Sequence, residues 1–220
     1  MKSYQNAALL QNLYRLKALG FDYCDPVIVN TESSGSDLPY TLEALRRMID
    51  GCHLCDLGKL RRHGMHGQGE AGARVMLIDA FVSMAQDESG SYFAGRSGTS
   101  LESMITNVLA LAPQEVYLTH AVKCKSSGTQ KPSASECSSC KPFWQREVEL
   151  VRPKVIVTLG PDAYRIVTGD ETPFEQVRGH KIDFEKGIIL VPLYHPQHLL
   201  RNPSLKKVTF FDLQNIKAVL

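Results

Sequence analysis

The sequence predicts an α/β fold: a three-layer α/β/α arrangement around a four-stranded parallel sheet, preceded by an N-terminal helical extension. Two observations support this prediction. Four short apolar runs of strand length alternate with segments of helical periodicity, and such continuous runs are typical of parallel strands covered on both faces. The 220 residues, 43% of them hydrophobic, are also enough to bury one sizeable core.

The N-terminal part of the chain is predicted to be a helix followed by a linker. Residues 5–19 carry leucines at helical spacing, and Gly20 is a suitable residue to end that helix. Residues 25–40 contain two prolines, a Ser-Ser-Gly-Ser run and little periodicity, as linkers do. We therefore expect residues 1–47 to form this extension and residues 48–220 to form the main domain.

The later elements alternate along the chain. Thr41 is suited to cap a helix that ends near Ile49 and leads to Cys52. The predicted strands are residues 75–79, 116–119, 155–159 and 188–191. The predicted helices are residues 100–111, 142–151, 161–167 and 209–219.

The carboxyl edge of the predicted sheet is where a ligand should bind, because parallel sheets bind ligands beyond the ends of their strands. Four segments are expected to meet there: 79–83, His120, Gly160 and 194–196. The first is unusual, because after Asp79 the chain continues with Ala80, Phe81 and Val82 where polar groups would be expected.

Composition excludes some classes of protein. The net charge of +2 does not by itself indicate a nucleic-acid binder, although local basic groups occur, such as Lys206-Lys207. No run approaches the ~18 apolar residues of a membrane span, and the first residues lack the features of a signal peptide. We expect a cytoplasmic monomer that does not interact with membranes.

The six cysteines suggest a metal site, since disulfides are rare in the cytoplasm. Cys52 and Cys55 have the C-x2-C spacing of a metal-binding turn, and a second segment supplies Cys124, Cys137 and Cys140. Thiolates select zinc or an iron–sulfur cluster, and their spacing alone does not separate these two. Between Cys137 and Cys140, local spacing also leaves the choice of ligand open.

Several motifs together resemble the iron–sulfur uracil-DNA glycosylases of family 4. The resemblance covers roughly residues 48–217. It is carried by "CHLCDL", "GSYFAGRSG", "HAVKC", "VIVTLGPDA", "RGH", "YHPQHLLRNPSLKK" and "FFDLQNIK". It implies a [4Fe-4S] cluster, with zinc as the alternative, and the family's ligands match Cys52, Cys55, Cys124 and Cys140.

The resemblance also implies a base-binding site that departs from the family in two places. The family's glutamate, which is thought to position the attacking water, falls on Ala80, and the asparagine that reads the uracil edge falls on His120. An imidazole cannot reproduce the paired donor and acceptor of an amide. Phe93 matches the aromatic residue that stacks on the flipped base, and Phe81 is expected to line the same pocket. His195 matches the histidine of the family's His-Pro motif.

Catalysis is therefore assigned to His195, which would stabilise the departing base. Asp79 is the nearest carboxylate to the lost glutamate, although strand alternation should point its side chain away from that of Ala80. Asp87 and Glu88 are more distant substitutes. The expected partner is DNA, single- or double-stranded. A wedge loop would consist of Leu199, Leu200 and Arg201, and a pair of lysines, Lys206 and Lys207, would bind phosphates.

Two functions follow as hypotheses. The first is a base-excision repair glycosylase that flips a deaminated or damaged base, uracil by resemblance, and hydrolyses its N-glycosidic bond, weakly or with an altered base preference. The alternative is a catalytically inactive iron–sulfur protein that still binds DNA. A positioned acid or base contributes roughly 10²–10⁴ in rate, so the loss of one group is compatible with residual activity.

Overall fold

The sheet at the centre of the computed structural model has five strands. In chain order they are β1 Val75–Asp79, β2 Val116–His120, β3 Val155–Leu159, β4 Ile182–Asp183 and β5 Ile189–Leu193. Their order across the sheet is β2-β1-β3-β5-β4. The four predicted strands are parallel, as expected, and β4 pairs antiparallel with the edge of β5. Two residues are too few to show a period, and for that reason β4 was not predicted.

The structure describes residues 38–126 and 130–220, together with Gln11, Tyr14, Arg15, Lys17, Ala18 and Gly20. Met1–Asp37 and Leu38–Leu220 are two separate compact units. In the first unit the described residues from Gln11 to Ala18 are helical, and the Gly20 amide donates to the Lys17 carbonyl at 3.0 Å. The rest of the predicted helix 5–19, and the linker up to residue 37 with Cys24, lie outside the described residues. The domain boundary after residue 47 stays a prediction.

The second unit has nine α-helices among its described residues. They are α1 Leu42–Asp50, α2 Leu57–Leu60, α3 Met84–Ser89, α4 Gly95–Ser103, α5 Ala134–Val151, α6 Gly160–Thr168, α7 Phe174–Val177, α8 Pro196–Arg201 and α9 Lys206–Lys217. A π-helical turn, Met104–Leu109, continues α4, and 3-10 turns occupy Pro113–Glu115, Glu185–Gly187 and Pro203–Leu205. No helix in the described part of the chain is both long and apolar enough to cross a membrane.

Helix α5 begins eight residues before the predicted start at Pro142. Ser133 accepts a hydrogen bond from the Glu136 amide, and the Glu136 carboxylate accepts from the Ser133 amide, so the two residues form a capping box. Pro142 lies inside the helix instead of at its first turn. The capping signal in the sequence therefore outweighed the proline, and the helix carries Cys137 and Cys140 on its first two turns.

Alternate residues of each strand enter different cores. Val75 and Leu77 of β1 join the core that also contains Phe93, whereas Met76 and Ile78 join the core on the opposite face with Trp144. We call the first of these the Phe93 face. A third core holds the cysteines: Cys124 and Cys140 are buried in it, and Cys52 and Cys55 pack against it. The sheet is thus covered on both faces, as the apolar strands predicted.

Gly98 allows α4 to approach the backbone of Phe93. A Cβ atom at position 98 would clash with the Phe93 carbonyl group and lie 2.6 Å from the Phe93 Cα. Backbone atoms cannot move aside as a flexible side chain can. The close approach therefore ties the position of Phe93 to the first turn of α4.

We expect Gly98→Ala to lower the free energy of unfolding by about 3 kcal/mol, because the added methyl group overpacks against backbone. Urea denaturation of both proteins measures this. Gly51→Ala is the matched control, since its Cβ would meet the Arg47 carbonyl oxygen at an ordinary 3.6 Å. Equal unfolding midpoints for the two variants would contradict the packing argument.

Candidate active site and cysteine cavity

Strand register brings three polar side chains to the carboxyl edge of the Phe93 face. Asp79 ends β1 and lies directly beside His120, the last residue of β2. On its other side it pairs with Leu159, which in turn pairs with Leu193 of β5. His195 follows Leu193 by two residues. Because neighbouring residues in register point to the same face, Asp79, His120 and His195 meet at this edge.

Asp79 and His195 form the central contact of the site. The Nε2 atom of His195 lies 3.0 Å from Oδ2 of Asp79. The other nitrogen, Nδ1, accepts a hydrogen bond of 3.1 Å from the Gln197 amide and so caps the N-terminus of α8. A nitrogen that accepts carries no proton, so in the neutral ring the proton is on Nε2 and is donated to Asp79.

The two groups shift each other's pKa in opposite directions. Burial disfavours the Asp79 carboxylate, but His195, His120 and the Ala80 amide, which donates to Oδ1 at 2.7 Å, hold the pKa of Asp79 below its usual value. Burial likewise disfavours protonated His195, but Asp79 and, more weakly, Asp162 hold the pKa of His195 above its usual value. Asp79 is therefore ionised at neutral pH.

His120 is a second histidine beside the same carboxylate. Its Nε2 lies 3.9 Å from Asp79 Oδ2, and its side chain is 0% exposed. Neither ring nitrogen has a hydrogen-bond partner in the structure. The ring stacks on Tyr92, with 4.8 Å between centroids and 22° between planes. Burial, helped by Lys123 and His195 and opposed by the Asp79 carboxylate, lowers the pKa of His120 to about 4, so the ring is neutral at pH 7.

The residues after Asp79 do not join this site. Ala80 is buried, and its carbonyl accepts from the Val122 amide at 3.1 Å. Phe81 packs against the core that holds the cysteines, so it lies away from the residues of the Phe93 face. This placement is at odds with the expectation that Phe81 lines a base pocket. After β1 the chain runs alongside the segment that leads to Cys124.

The other two carboxylates considered from the sequence have different surroundings. Asp87 is buried, accepts from the Arg62 amide at 2.9 Å and lies 3.6 Å from Lys125 Nζ, so it anchors the loop before β1 to α3. Glu88 is exposed to solvent. Of the three carboxylates, Asp79 is the one paired with His195.

Phe93 and Tyr92 line a groove of about 1090 Å³, and the residues that line it do not include Asp79, His120 or His195. The side chain of Phe93 is half-buried against the core of the Phe93 face. Tyr92 is buried and donates to the His66 carbonyl at 3.0 Å. Sequence reasoning missed Tyr92, although it directly precedes Phe93 in "SYF".

The predicted DNA contacts divide into buried and exposed residues. Leu199 is 3% exposed and belongs to the core of the Phe93 face, so its side chain is not presented to a duplex as the wedge hypothesis requires. Leu200 is half-buried, and Arg201, Lys206 and Lys207 are exposed. Lys206 begins α9, which also exposes Phe210 and Phe211.

The four cysteines of the resemblance line one small cavity. Its walls include Cys52 and Cys55 before α2, Cys124 after β2, and Cys140 on α5. Burial raises the pKa of the Cys124 thiol and raises that of Cys140 to about 11. Cys137 does not line this cavity. Among the described residues, no three His, Cys, Asp or Glu side chains converge closely enough to hold a single metal ion.

Two basic residues support this cavity, and neither was predicted. Arg61 donates to Cys124 Sγ at 3.2 Å and to the Cys52 carbonyl at 3.1 Å, so it joins the two cysteine segments. Lys123 is buried beside Cys124 and pairs with Glu147 at 2.6 Å. Glu147 also accepts from Thr119 at 2.6 Å and from the Gly67 amide at 3.0 Å. A buried ion pair of this kind requires its additional hydrogen bonds.

Asp79→Asn should lower the pKa of His195 below its value in the parent protein, because burial then acts without the opposing carboxylate. An NMR titration of the His195 ring measures it. The pair stabilises the fold between the depressed pKa of Asp79 and the raised pKa of His195. Its contribution is lost at higher pH as His195 deprotonates and at lower pH as Asp79 protonates. Asp56→Asn, an exposed carboxylate bonded to Lys59, is the control and should leave His195 unchanged.

Comparison with known proteins identifies the family. Residues 66–217 match the model of the uracil DNA glycosylase superfamily. The type-4 uracil-DNA glycosylase of Sulfurisphaera tokodaii is 30% identical over 186 residues, which cover 81% of this chain and 84% of that protein. The type-4 enzymes of Saccharolobus solfataricus and Thermotoga maritima are each 28% identical and cover 81% of this chain and 86% and 94% of their own lengths. The chain belongs to the uracil-DNA glycosylase superfamily, among relatives of type 4.

Proposed function

We propose that this protein is a DNA N-glycosylase that removes a deaminated or damaged base, with Asp79 and His195 as its catalytic residues. The observation that carries the proposal is the 3.0 Å contact between Asp79 Oδ2 and His195 Nε2 at the carboxyl edge of the sheet. The relatives are named as uracil-DNA glycosylases, and this supports uracil as the first base to test.

The reaction needs two kinds of charge stabilisation. The bond between C1′ of the deoxyribose and the base nitrogen breaks with its electron pair on the base, while a water oxygen bonds to C1′ and the water loses a proton. Positive charge develops on the sugar and negative charge on the base. An ionised carboxylate can accept the water proton or stabilise the sugar, and an N–H donor can stabilise the base. Asp79 and His195 supply these two groups.

Base selection rests on Phe93 and on the change at His120. A flipped base that stacks on Phe93 gains roughly 1–3 kcal/mol by analogy with single-strand platforms. His120 is neutral and buried, so it does not present the forked donor and acceptor of an asparagine to a uracil edge. We therefore propose that discrimination among deaminated bases is weaker than an asparagine would allow.

DNA is the proposed macromolecular partner, and exposed basic residues of α8 and α9 are its proposed contacts. Arg201, Lys206 and Lys207 are exposed and can neutralise phosphates. Leu200 is left as the candidate wedge, since Leu199 is buried. The cytoplasmic location and the monomeric state stay predictions.

The second candidate function is that of a DNA-binding protein without catalysis. Two features favour it: the Nε2 proton of His195 is already donated to Asp79, and the position of the family's glutamate is the buried Ala80. A donor that remains on Asp79 cannot stabilise a leaving base. The two functions differ in whether the Asp79–His195 bond opens when a base is bound.

We also propose that Cys52, Cys55, Cys124 and Cys140 hold a [4Fe-4S] cluster. Four thiols lining one cavity form a donor set that suits it, and the Arg61 N–H and the Lys123 amide, 3.5 Å from Cys140 Sγ, supply hydrogen bonds to sulfur. A zinc ion would instead need four sulfurs each about 2.3 Å from one point. When bound, the cluster would act structurally, by joining the end of α1 to β2 and α5.

The protein should release the base from duplex or single-stranded oligonucleotides that contain uracil, hypoxanthine or xanthine, which cleavage at the resulting abasic sites detects. Asp79→Asn and His195→Ala should each reduce that rate by about 10²–10⁴. Asp56→Asn is the matched control for a lost carboxylate. Cleavage of every substrate at the His195→Ala rate would exclude catalysis by this site and favour the noncatalytic function.

The double variant Ala80→Glu with His120→Asn restores the two family groups and separates the two functions. If the parent protein is a weak or retargeted enzyme, the double variant should act faster on uracil by a factor within the same range of about 10²–10⁴. A parent protein that already matches the double variant on uracil would exclude the noncatalytic function.

Anaerobically purified protein should be brown and contain iron and acid-labile sulfide in equal amounts, as a [4Fe-4S] cluster requires. Cys124→Ser should lose the visible absorbance. Cys137→Ser should keep it, because Cys137 does not line the cavity. A colourless parent protein with one zinc per chain would contradict the cluster and support the zinc alternative.

A further inference from the structure

Asp79 has two histidines beside the same oxygen atom. His195 Nε2 lies 3.0 Å from Oδ2, and His120 Nε2 lies 3.9 Å from it. The first distance is a hydrogen bond and the second is too long for one. The other carboxylate oxygen, Oδ1, is held by the Ala80 amide at 2.7 Å. One oxygen of this carboxylate thus faces the Nε2 atoms of two histidines, of which one is bonded.

His120 is an unusual residue in its surroundings. It is 0% exposed, and both ring nitrogens lack a hydrogen-bond partner. A buried polar atom without a partner costs free energy, so such atoms are rare and call for an explanation. A second arrangement of the site, in which His120 donates to Asp79, would remove this cost for one of its two nitrogens.

We propose that His120 is a positioning residue that takes over Asp79 Oδ2 when His195 turns its Nε2–H toward the departing base. This inference rests on the proposed glycosylase function and adds a step to it. No covalent bond changes in the step. One N–H···O bond breaks and another forms on the same oxygen, and each histidine keeps its own proton.

The required movement is small, and the Asp79 carboxylate is the group that moves. The gap of 3.9 Å must close to about 2.9 Å, a typical N–H···O distance. The His120 ring is held on one side by its stack with Tyr92, whose hydroxyl is bonded to the His66 carbonyl. Asp79 can supply this movement, because a small tilt of the carboxylate about Oδ1, which stays on the Ala80 amide, shifts Oδ2 by about 1 Å while the backbone stays in register.

Charge explains why a replacement donor is needed. Asp79 is ionised and its side chain is only 15% exposed, so the loss of its partner without a replacement would destabilise the carboxylate. His195 could not leave the carboxylate at low cost if nothing replaced it. His120, which is neutral with a pKa lowered to about 4, can supply an N–H without adding a charge.

The other charged groups near the two histidines already have hydrogen-bond or ion-pair partners of their own. Lys123 is bonded to Glu147 and to Thr119, so its ammonium group is not available to Asp79. Asp162 is paired with Lys131 and, of the two histidines, shifts the pKa of His195 only, whereas Glu147 faces Tyr92 and Lys123. Among the described residues, His120 and His195 are the two whose side chains form ion-pair contacts with Asp79 Oδ2, and His120 has no hydrogen-bond partner.

The test is NMR of the full chain, with its cluster, labelled with 15N at histidine. In His195→Ala the first donor is gone, and His120 should then show an Nε2–H signal at lower field, with exchange with water slowed at least tenfold relative to the parent protein. The His120 pKa should also rise. Both changes should disappear in the double variant Asp79→Asn, His195→Ala. A His120 signal that is the same in all three proteins would overturn the proposal.

A kinetic comparison adds a second measurement. His120→Phe keeps a ring on Tyr92 but has no donor, and it should reduce kcat by roughly ten- to a hundredfold with little change in KM, as expected for the loss of a hydrogen bond to a charged group. His120→Gln has an amide N–H and should recover part of that loss. Equal kcat values for the Phe and Gln variants would contradict a role for the donor.

The two measurements separate this inference from the function on which it rests. If the parent protein releases no base but His120 bonds to Asp79 in His195→Ala, the glycosylase proposal fails and the exchange of partners stands. If the parent protein is active but the His120 signal does not respond, the function stands and the exchange of partners is wrong.

Discussion

The parallel register of β1 with its two neighbours is the constraint on which the site depends. It sets Asp79 beside His120 and brings His195 to the same edge, two residues beyond Leu193. Because side chains alternate along a strand, a shift of one residue would replace Asp79 by Ala80 on this face and remove the only carboxylate bonded to His195 within the described residues. Val75 to Ile78 pack alternately into the two cores, so the same shift would exchange the side chains that fill them.

A largely buried ionised group needs hydrogen-bond partners, and this requirement organises the remainder of the edge. Asp79 has the Ala80 amide on one oxygen and His195 on the other, and the second nitrogen of His195 caps α8. The carboxylate is thereby linked to the start of the helix that leads to the exposed basic residues of α9. Without the pairing, burial of Asp79 would favour its protonated form.

Behind the edge, the chain after β1 contributes to the cysteine cavity. Phe81 packs with Cys124 and Cys140, and Ala80 and Val82 lie along the segment 122–125. Ala80, on which the family's glutamate falls by resemblance, is thus a buried residue. The strand thus ends on the carboxylate of Asp79, and Phe81 and Val82, which follow it, pack in cores.

Much of this protein was determined by the sequence itself. Continuous apolar runs predicted four parallel strands, the motifs placed the chain in its family, and local periodicity and caps predicted most helices, because these signals act over a few residues. Tertiary structure alone decided that Asp79 faces His195, that His120 is buried without partners, that Leu199 and Phe81 belong to cores, and that Arg61 reaches Cys124. Each of these depends on which segments lie side by side across the sheet, and that proximity has no local signature in the chain.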